Sequence, residues 1–142
     1  MYVDAHSHPE MYSDDELVGV LETIEHQRIL TLGVSIDVPS FVRTEGIAIR
    51  SDLVVPSFGI HPSEASIYAH SIEDLDRFVD RSPMLGEIGL DYRFVTDESL
   101  YPAQQEVFRW LLHRARNQDK LVSIHCAGAE RDTVTLLSES GV

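Results

Sequence analysis

Five apolar runs, each bounded by turn residues and separated from the next by an amphipathic stretch, recur along the 142-residue chain and restrict its architecture more than any other feature. They fall near residues 2–6, 29–35, 53–60, 84–90 and 121–126. Each reads as a strand too continuously apolar to have a wet face, the pattern of parallel strands covered by helices. Strands alternating with helices imply right-handed crossovers and a parallel sheet, either open and doubly wound or curled toward a barrel.

The intervening stretches carry helix signals. Ser13 with Glu16, and Ser71 with Asp74, have the spacing of a capping box, where the serine accepts a backbone N–H and the acid reaches back. Leu17, Val20, Leu21 and Ile24 follow the first pair at helical period, and Ile72, Leu75, Phe78 and Val79 follow the second. Residues 102–118, with Phe108, Leu111, Leu112 and Ala115 on one face, predict a longer helix, and residues 132–140 a short last one. Residues 38–51 read as a helix whose Gly46 and β-branched residues lower its intrinsic propensity. No linker or low-complexity segment interrupts the pattern, so residues 1–142 are expected to form a single domain, and a composition of 43% hydrophobic residues can supply its core.

Chemistry collects where these strands end. His6 and His8, separated by one serine, share a face of an extended chain and can converge on one ion. His61 follows the third run and His125 lies in the fifth, while Glu87 stands inside the apolar run MLGEIGLDY. In a parallel α/β fold such residues meet at one rim, where the active sites of these folds lie. An ionised carboxylate among Met84, Leu85, Ile88 and Leu90 is costly unless a cation or several donors compensate it. Asp4, two residues before His6, is expected to hold that imidazole in one tautomer. His6, His8, Glu87 and His125 thus supply donors suited to zinc, manganese, iron or nickel, and a carboxylate placed like Glu87 can bridge two ions. His26, His70 and His113 fall in helices or a loop and read as surface residues.

The net charge of −13 bears on substrates: a chain this acidic lacks the field that draws in nucleic acid backbones, so a phosphate-bearing substrate needs local cations. Bound metal ions can be those cations. The single cysteine, Cys126, excludes an internal disulfide and reads as a small buried residue. No run is long enough to span a membrane and no leader pattern opens the chain, so a cytoplasmic location is expected. No glycine-rich phosphate loop follows the first strand, which removes support for a nucleotide cofactor.

Taken in order, DAHSH, then GIHP at Gly59 to Pro62, GEIGLDY at Gly86 to Tyr92, a helix with Gln105 and Phe108, and VSIHC at Val122 to Cys126 resemble the TatD family of metal-dependent deoxyribonucleases. The resemblance covers essentially the whole chain, and GEIGLDY is its most specific part; it argues against a phosphoesterase of the PHP type, which also begins with a His-x-His strand. It implies a TIM-barrel-type hydrolase of the amidohydrolase-like group with two divalent metal ions (zinc, manganese, iron, nickel or magnesium), acting on DNA ends or related phosphodiesters through metal-activated water. By position, His6 and His8 resemble ligands of the first metal, Glu87 the bridging ligand and His125 a ligand of the second. His61 would sit beside the metals and touch substrate, with Asp91 and Tyr92 in support.

Two departures from the family pattern stand out. Where members carry Ser-Arg-Asp-Ala after the fifth-strand histidine, this chain has Cys126, Ala127, Gly128 and Ala129, which leaves Arg131 as the nearest arginine to meet a phosphate. An eight-stranded barrel also takes about 250 residues, and members continue to a histidine on the sixth strand and an aspartate on the eighth. The fold expected here is therefore an incomplete barrel of about five parallel strands. Its open face would be covered by association as a homo-oligomer or by a further C-terminal portion. The alternative to a working hydrolase is a truncated, catalytically inactive domain that retains partial metal binding.

Overall fold

The computed structural model describes residues Met1–Val142. Five parallel strands, β1 (Tyr2–Ser7), β2 (Ile29–Val34), β3 (Val54–Phe58), β4 (Met84–Asp91) and β5 (Val122–Ala127), form one sheet in chain order. Adding each parallel strand to the same side of the last, with a crossover between, is how a (β/α) barrel wall grows. The curl is pronounced: His6 on edge strand β1 and Ser123 on edge strand β5 approach to 3.3 Å between Nδ1 and Oγ. The expected incomplete barrel of five parallel strands is thus the observed architecture.

Six helices accompany the strands: α1 (Asp14–Gln27), α2 (Val38–Ala48), the single turn α3 (Ala65–Tyr68), α4 (Asp76–Arg81), α5 (Tyr101–Asn117) and α6 (Glu130–Ser140). At α1 the capping box forms as the sequence predicts, with Ser13 Oγ accepting from Glu16 N–H and Glu16 Oε2 accepting from Ser13 N–H. A second box, Asp37 with Ser40, starts α2. The Ser71–Asp74 box does not form: residues Ala69–Leu75 make a 3-10 stretch in which Ser71 has non-helical φ −140° and ψ 39°, and α4 begins only at Asp76. Ile72, Leu75, Phe78 and Val79 are all buried nonetheless, so the core takes these side chains from a broken path and burial overrides the local capping signal.

The main core lies between the sheet and its helices. Phe41, Phe58 and Phe78 form an aromatic cluster with ring centroids 5.2 Å and 5.5 Å apart for the closest pairs. Leu85, Ile88 and Leu90 of β4 meet Phe108, Leu111 and Leu112 of α5 in the same cluster. A smaller cluster joins Leu17, Leu21 and Ile24 of α1 to Ile47 and Val54.

The expectation that no strand has a wet face holds for β4, buried along its whole length, and fails for β1, where Tyr2 is 69% and Val3 59% exposed. β1 pairs with β2 alone and β5 with β4 alone, so both edges of the sheet are open. Cys126, expected to be buried, is exposed for the same reason: it stands on edge strand β5.

Candidate metal centre

Because all five strands run parallel, their C-terminal ends share one rim, and β4 places the key carboxylates there. Its register to β5 shifts between Leu85 and Ile88. That irregularity lets Leu85, Ile88 and Leu90 all reach the helix-side core while Glu87, Gly89 and Asp91 take the opposite face. A bulge that re-aims a side chain is a recurring feature beside active sites.

Glu87 is the hub. Its Oε2 lies 3.5 Å from His6 Nε2 and 3.5 Å from His8 Nε2, and its Oε1 lies 2.6 Å from His125 Nδ1. Asp91 Oδ2 reaches His125 Nε2 at 3.0 Å, and His61 Nε2 stands 3.2 Å from His125 Nδ1. Two groups of donors able to hold a cation result, His6–His8–Glu87 and His61–Asp91–His125, the donor atoms of each lying within 4.8 Å of one another. The fold therefore brings together all five residues that the sequence singled out, and adds Asp91 as a full member of the second group. His26, His70 and His113 take no part in either.

Each side chain is oriented by its neighbours. Asp91 Oδ1 accepts the N–H groups of Arg93 and Phe94, at 2.9 Å and 2.7 Å, which leaves Oδ2 for His125. Buried Gln104 brackets the Asp91 backbone, its Oε1 accepting from the N–H and its Nε2 donating to the C=O. His61 Nδ1 accepts the Ser63 N–H, which turns Nε2 toward His125. Asp4 does not hold the His6 ring as expected. Its Oδ1 accepts the backbone N–H of His6, and the His6 imidazole meets Ser123 instead. For the His-x-His pair, the carboxylate that meets a ring nitrogen on the side away from Glu87 is Glu10, 3.1 Å from His8 Nδ1. The alternation Glu87, Gly89, Asp91 along one strand was the signal for Asp91; Glu10 follows a proline that breaks the strand, so periodicity gave no hint of it.

The electrostatics follow from a ring held between carboxylates. The hydrogen bond to Glu87 lifts His125 above its ordinary 6.5, with Asp91 adding to the effect and burial opposing it. Burial, with the nearby His125, pushes His61 down. For Glu87 burial is the largest influence and pushes the carboxyl up, but the His125 hydrogen bond and the charges of His61, His6 and His125 together leave it below its usual range. Asp91 behaves alike, with burial outweighed by the N–H groups of Phe94 and Arg93 and by His125. Each nitrogen of His125 faces one of these two carboxylates, which favours its protonated form relative to a free imidazole. Arg131 is exposed in the first turn of α6.

Comparison with known proteins adds to this geometry. The family model described as TatD related DNase matches residues 3–142. A relative from Bacillus subtilis (strain 168), the uncharacterized metal-dependent hydrolase YabD, is 31% identical over 150 residues, covering 99% of this chain and 56% of that protein. Human deoxyribonuclease TATDN3 is 27% identical, over 98% of this chain and 57% of its own length. The chain spans about half the length of these curated relatives. In fold it is similar to the crystal structure of YJJV, a TatD homologue from Escherichia coli K12, with a TM-score of 0.83, 22% identity and coverage of 98% of this chain and 56% of that one. No helix is long and apolar enough to cross a membrane. With a family match running from residue 3 to residue 142 and a curled parallel sheet of the same shape, this chain belongs to the TatD-related DNase family.

Proposed function

We propose that this chain carries the cation-holding rim of a hydrolase for phosphodiester bonds, in which His6, His8 and Glu87 would hold one divalent ion and His61, Asp91 and His125 a second, with Glu87 facing both groups. The observation that supports this most is the division of Glu87, whose two oxygens face different histidine groups. The donors fit such ions: imidazole nitrogens and carboxylate oxygens of this number suit zinc, manganese, iron or nickel, and the two buried carboxylates leave a demand for positive charge. Cations bound there lower the pKa of water and stabilise charge on a phosphoryl centre.

The chain's own residues do the rest. Asp91, fixed by Arg93, Phe94 and Gln104, holds the His125 ring in place. His61, pushed down by burial and by His125, stands at the rim with its Nε2 3.2 Å from His125 Nδ1, where the unprotonated ring offers a lone pair. With a net charge of −13 the rest of the molecule repels a polyanion, so recognition of phosphate falls to this rim. Nucleic acid is the substrate class we assign, since named relatives include the human deoxyribonuclease TATDN3 and the human 3'-5' RNA nuclease TATDN2, the latter 33% identical over 64% of this chain. The test is cleavage of a single-stranded DNA oligonucleotide by the metal-loaded chain, with an RNA of the same sequence beside it. Cation-dependent cleavage that disappears in Glu87→Gln is expected; a loaded chain that cleaves neither would favour the second reading. That reading, cation binding without turnover, draws on the open sheet edges and on the His6 side chain, 43% exposed and poorly shielded from water.

Cation loading has a defined pH dependence. The proton on His125 competes with a metal ion, and because this imidazole is raised above 6.5 the competition persists to higher pH than for a free histidine. Affinity should therefore fall as pH falls and level off only above the raised pKa. Titration calorimetry in two buffers of different ionisation enthalpy is expected to show proton release at pH values near the ordinary imidazole range and less on the alkaline side. Affinity independent of pH across that window would contradict it.

A further inference from the structure

We propose that Glu10 is a positioning residue for His8: it fixes the tautomer and orientation that present His8 Nε2 to Glu87, and so sets the affinity of the first cation group. This rests on the reading of His6, His8 and Glu87 as such a group. His8 lies just beyond the end of β1, before the 3-10 turn Pro9–Met11, with φ −115° and ψ 71°. The strand ladder therefore does not hold it, and something else must.

Glu10 is placed to do so. Its Oε1 is 3.1 Å from His8 Nδ1, and its side chain is only 5% exposed. A carboxylate accepts, so the proton sits on Nδ1 and the lone pair is left on Nε2, which faces Glu87 at 3.5 Å. That is the form of imidazole a cation takes, and a carboxylate behind a ligating histidine is a common way to fix it. His6 has no such partner: its Nδ1 meets the Ser123 hydroxyl.

Helix α2 holds the turn in position. Arg43 Nε donates to the Glu10 C=O and Nη2 to the Tyr12 C=O, each at 2.9 Å, and the guanidinium also pairs with Asp14. Thr44 Oγ1 points at Glu10 Oε2 from 3.5 Å. On β2, a Cβ at Gly33 would stand 2.8 Å from Thr44 Cγ2 and 3.1 Å from Pro9 Cγ, so the bare glycine is what lets the turn and the helix seat together. A carboxylate this well covered is costly unless paired, and its closest partner is the imidazole of His8.

The test uses the 142-residue chain with Glu10→Ala and Glu10→Gln, read by cobalt(II) titration of the visible d–d absorption and by the NMR tautomer of His8 in the metal-free protein. Cobalt affinity is expected to fall about 10- to 100-fold in Glu10→Ala. It should fall less in Glu10→Gln, whose amide oxygen can still accept from Nδ1–H, and the Nδ1–H tautomer should be lost in the alanine variant. Glu10→Gln, matched in size, keeps the test open should Glu10→Ala fail to fold. Unchanged cobalt affinity and an unchanged His8 tautomer in the variants would overturn the role of Glu10 alone. A wild-type chain that binds no cobalt would overturn the cation group itself and the positioning role with it.

Discussion

Glu87→Gln abolishes the joint binding of two cations, while His70→Ala leaves metal content untouched. The glutamine has the same shape and fits the same buried position, so the fold is retained and circular dichroism should match wild type. The change is electronic: one carboxylate that faces His6 and His8 through Oε2 and His125 through Oε1 becomes a neutral amide with a single acceptor oxygen. The first donor group loses its only carboxylate, and His125 of the second loses the anion that faces its Nδ1. Outer partners of metal ligands are worth about 10- to 100-fold in affinity, and removing the carboxylate that faces both groups should exceed that. His70 is exposed and belongs to neither group, so it controls for nonspecific binding to surface histidines. Equal losses in the two variants, by elemental analysis, would contradict the assignment.

Gly89→Ala should be the most destabilising single-methyl addition in the chain. A Cβ on Gly89 would lie 1.9 Å from the His125 carbonyl oxygen and 2.8 Å from its carbonyl carbon, and φ at Gly89 is +153°. The clash is with backbone, which cannot swing aside as a flexible side chain can. β4 and β5 must separate at the rung where Gly89 pairs with His125. Overpacking of this kind costs typically about 1–3 kcal/mol and occasionally more; we expect the upper end, a fall in Tm of about 10 °C for a chain of this size. Cation binding should fail as well, since His125 moves with its strand. Gly19→Ala is the counterpart: nothing lies within 4 Å of the added methyl on helix α1, so it should stabilise the chain by about 0.5–1 kcal/mol. Thermal melts of the two variants side by side decide the matter, and similar Tm values would contradict it.

The difference between these glycines marks what a sequence can and cannot disclose. GEIGLDY reads as a buried strand carrying an acid, and the apolar runs were enough to predict five parallel strands and the convergence of His6, His8, His61, Glu87 and His125 at one rim. The same string does not reveal that β4 shifts register between Leu85 and Ile88, and that shift lets Leu85 join the core while Glu87, Gly89 and Asp91 line the opposite face. Asp91 read only as a supporting residue, although alternation from Glu87 places it on the same face and it stands within hydrogen-bonding distance of His125. Asp4 fitted the spacing of a histidine partner, but on β1 its carboxylate accepts a backbone N–H, and the carboxylate behind the His-x-His pair is Glu10 at His8, in a turn that periodicity does not describe. The Ser71 box failed because Ile72 and Leu75 are drawn into the core before a regular helix begins. Edge exposure at Tyr2, Val3 and Cys126 was hidden for another reason: apolar character reports that a strand is built to be covered and is silent on what covers it.

Whether the rim around Glu87 holds divalent cations is tested most directly by counting them. Elemental analysis of the purified 142-residue chain, after dialysis against excess zinc or manganese and then metal-free buffer, is predicted to return between one and two tightly held ions per chain. A chain that retains none would contradict the cation-holding rim, because His6, His8, Glu87, Asp91 and His125 would then be insufficient to hold a metal on their own.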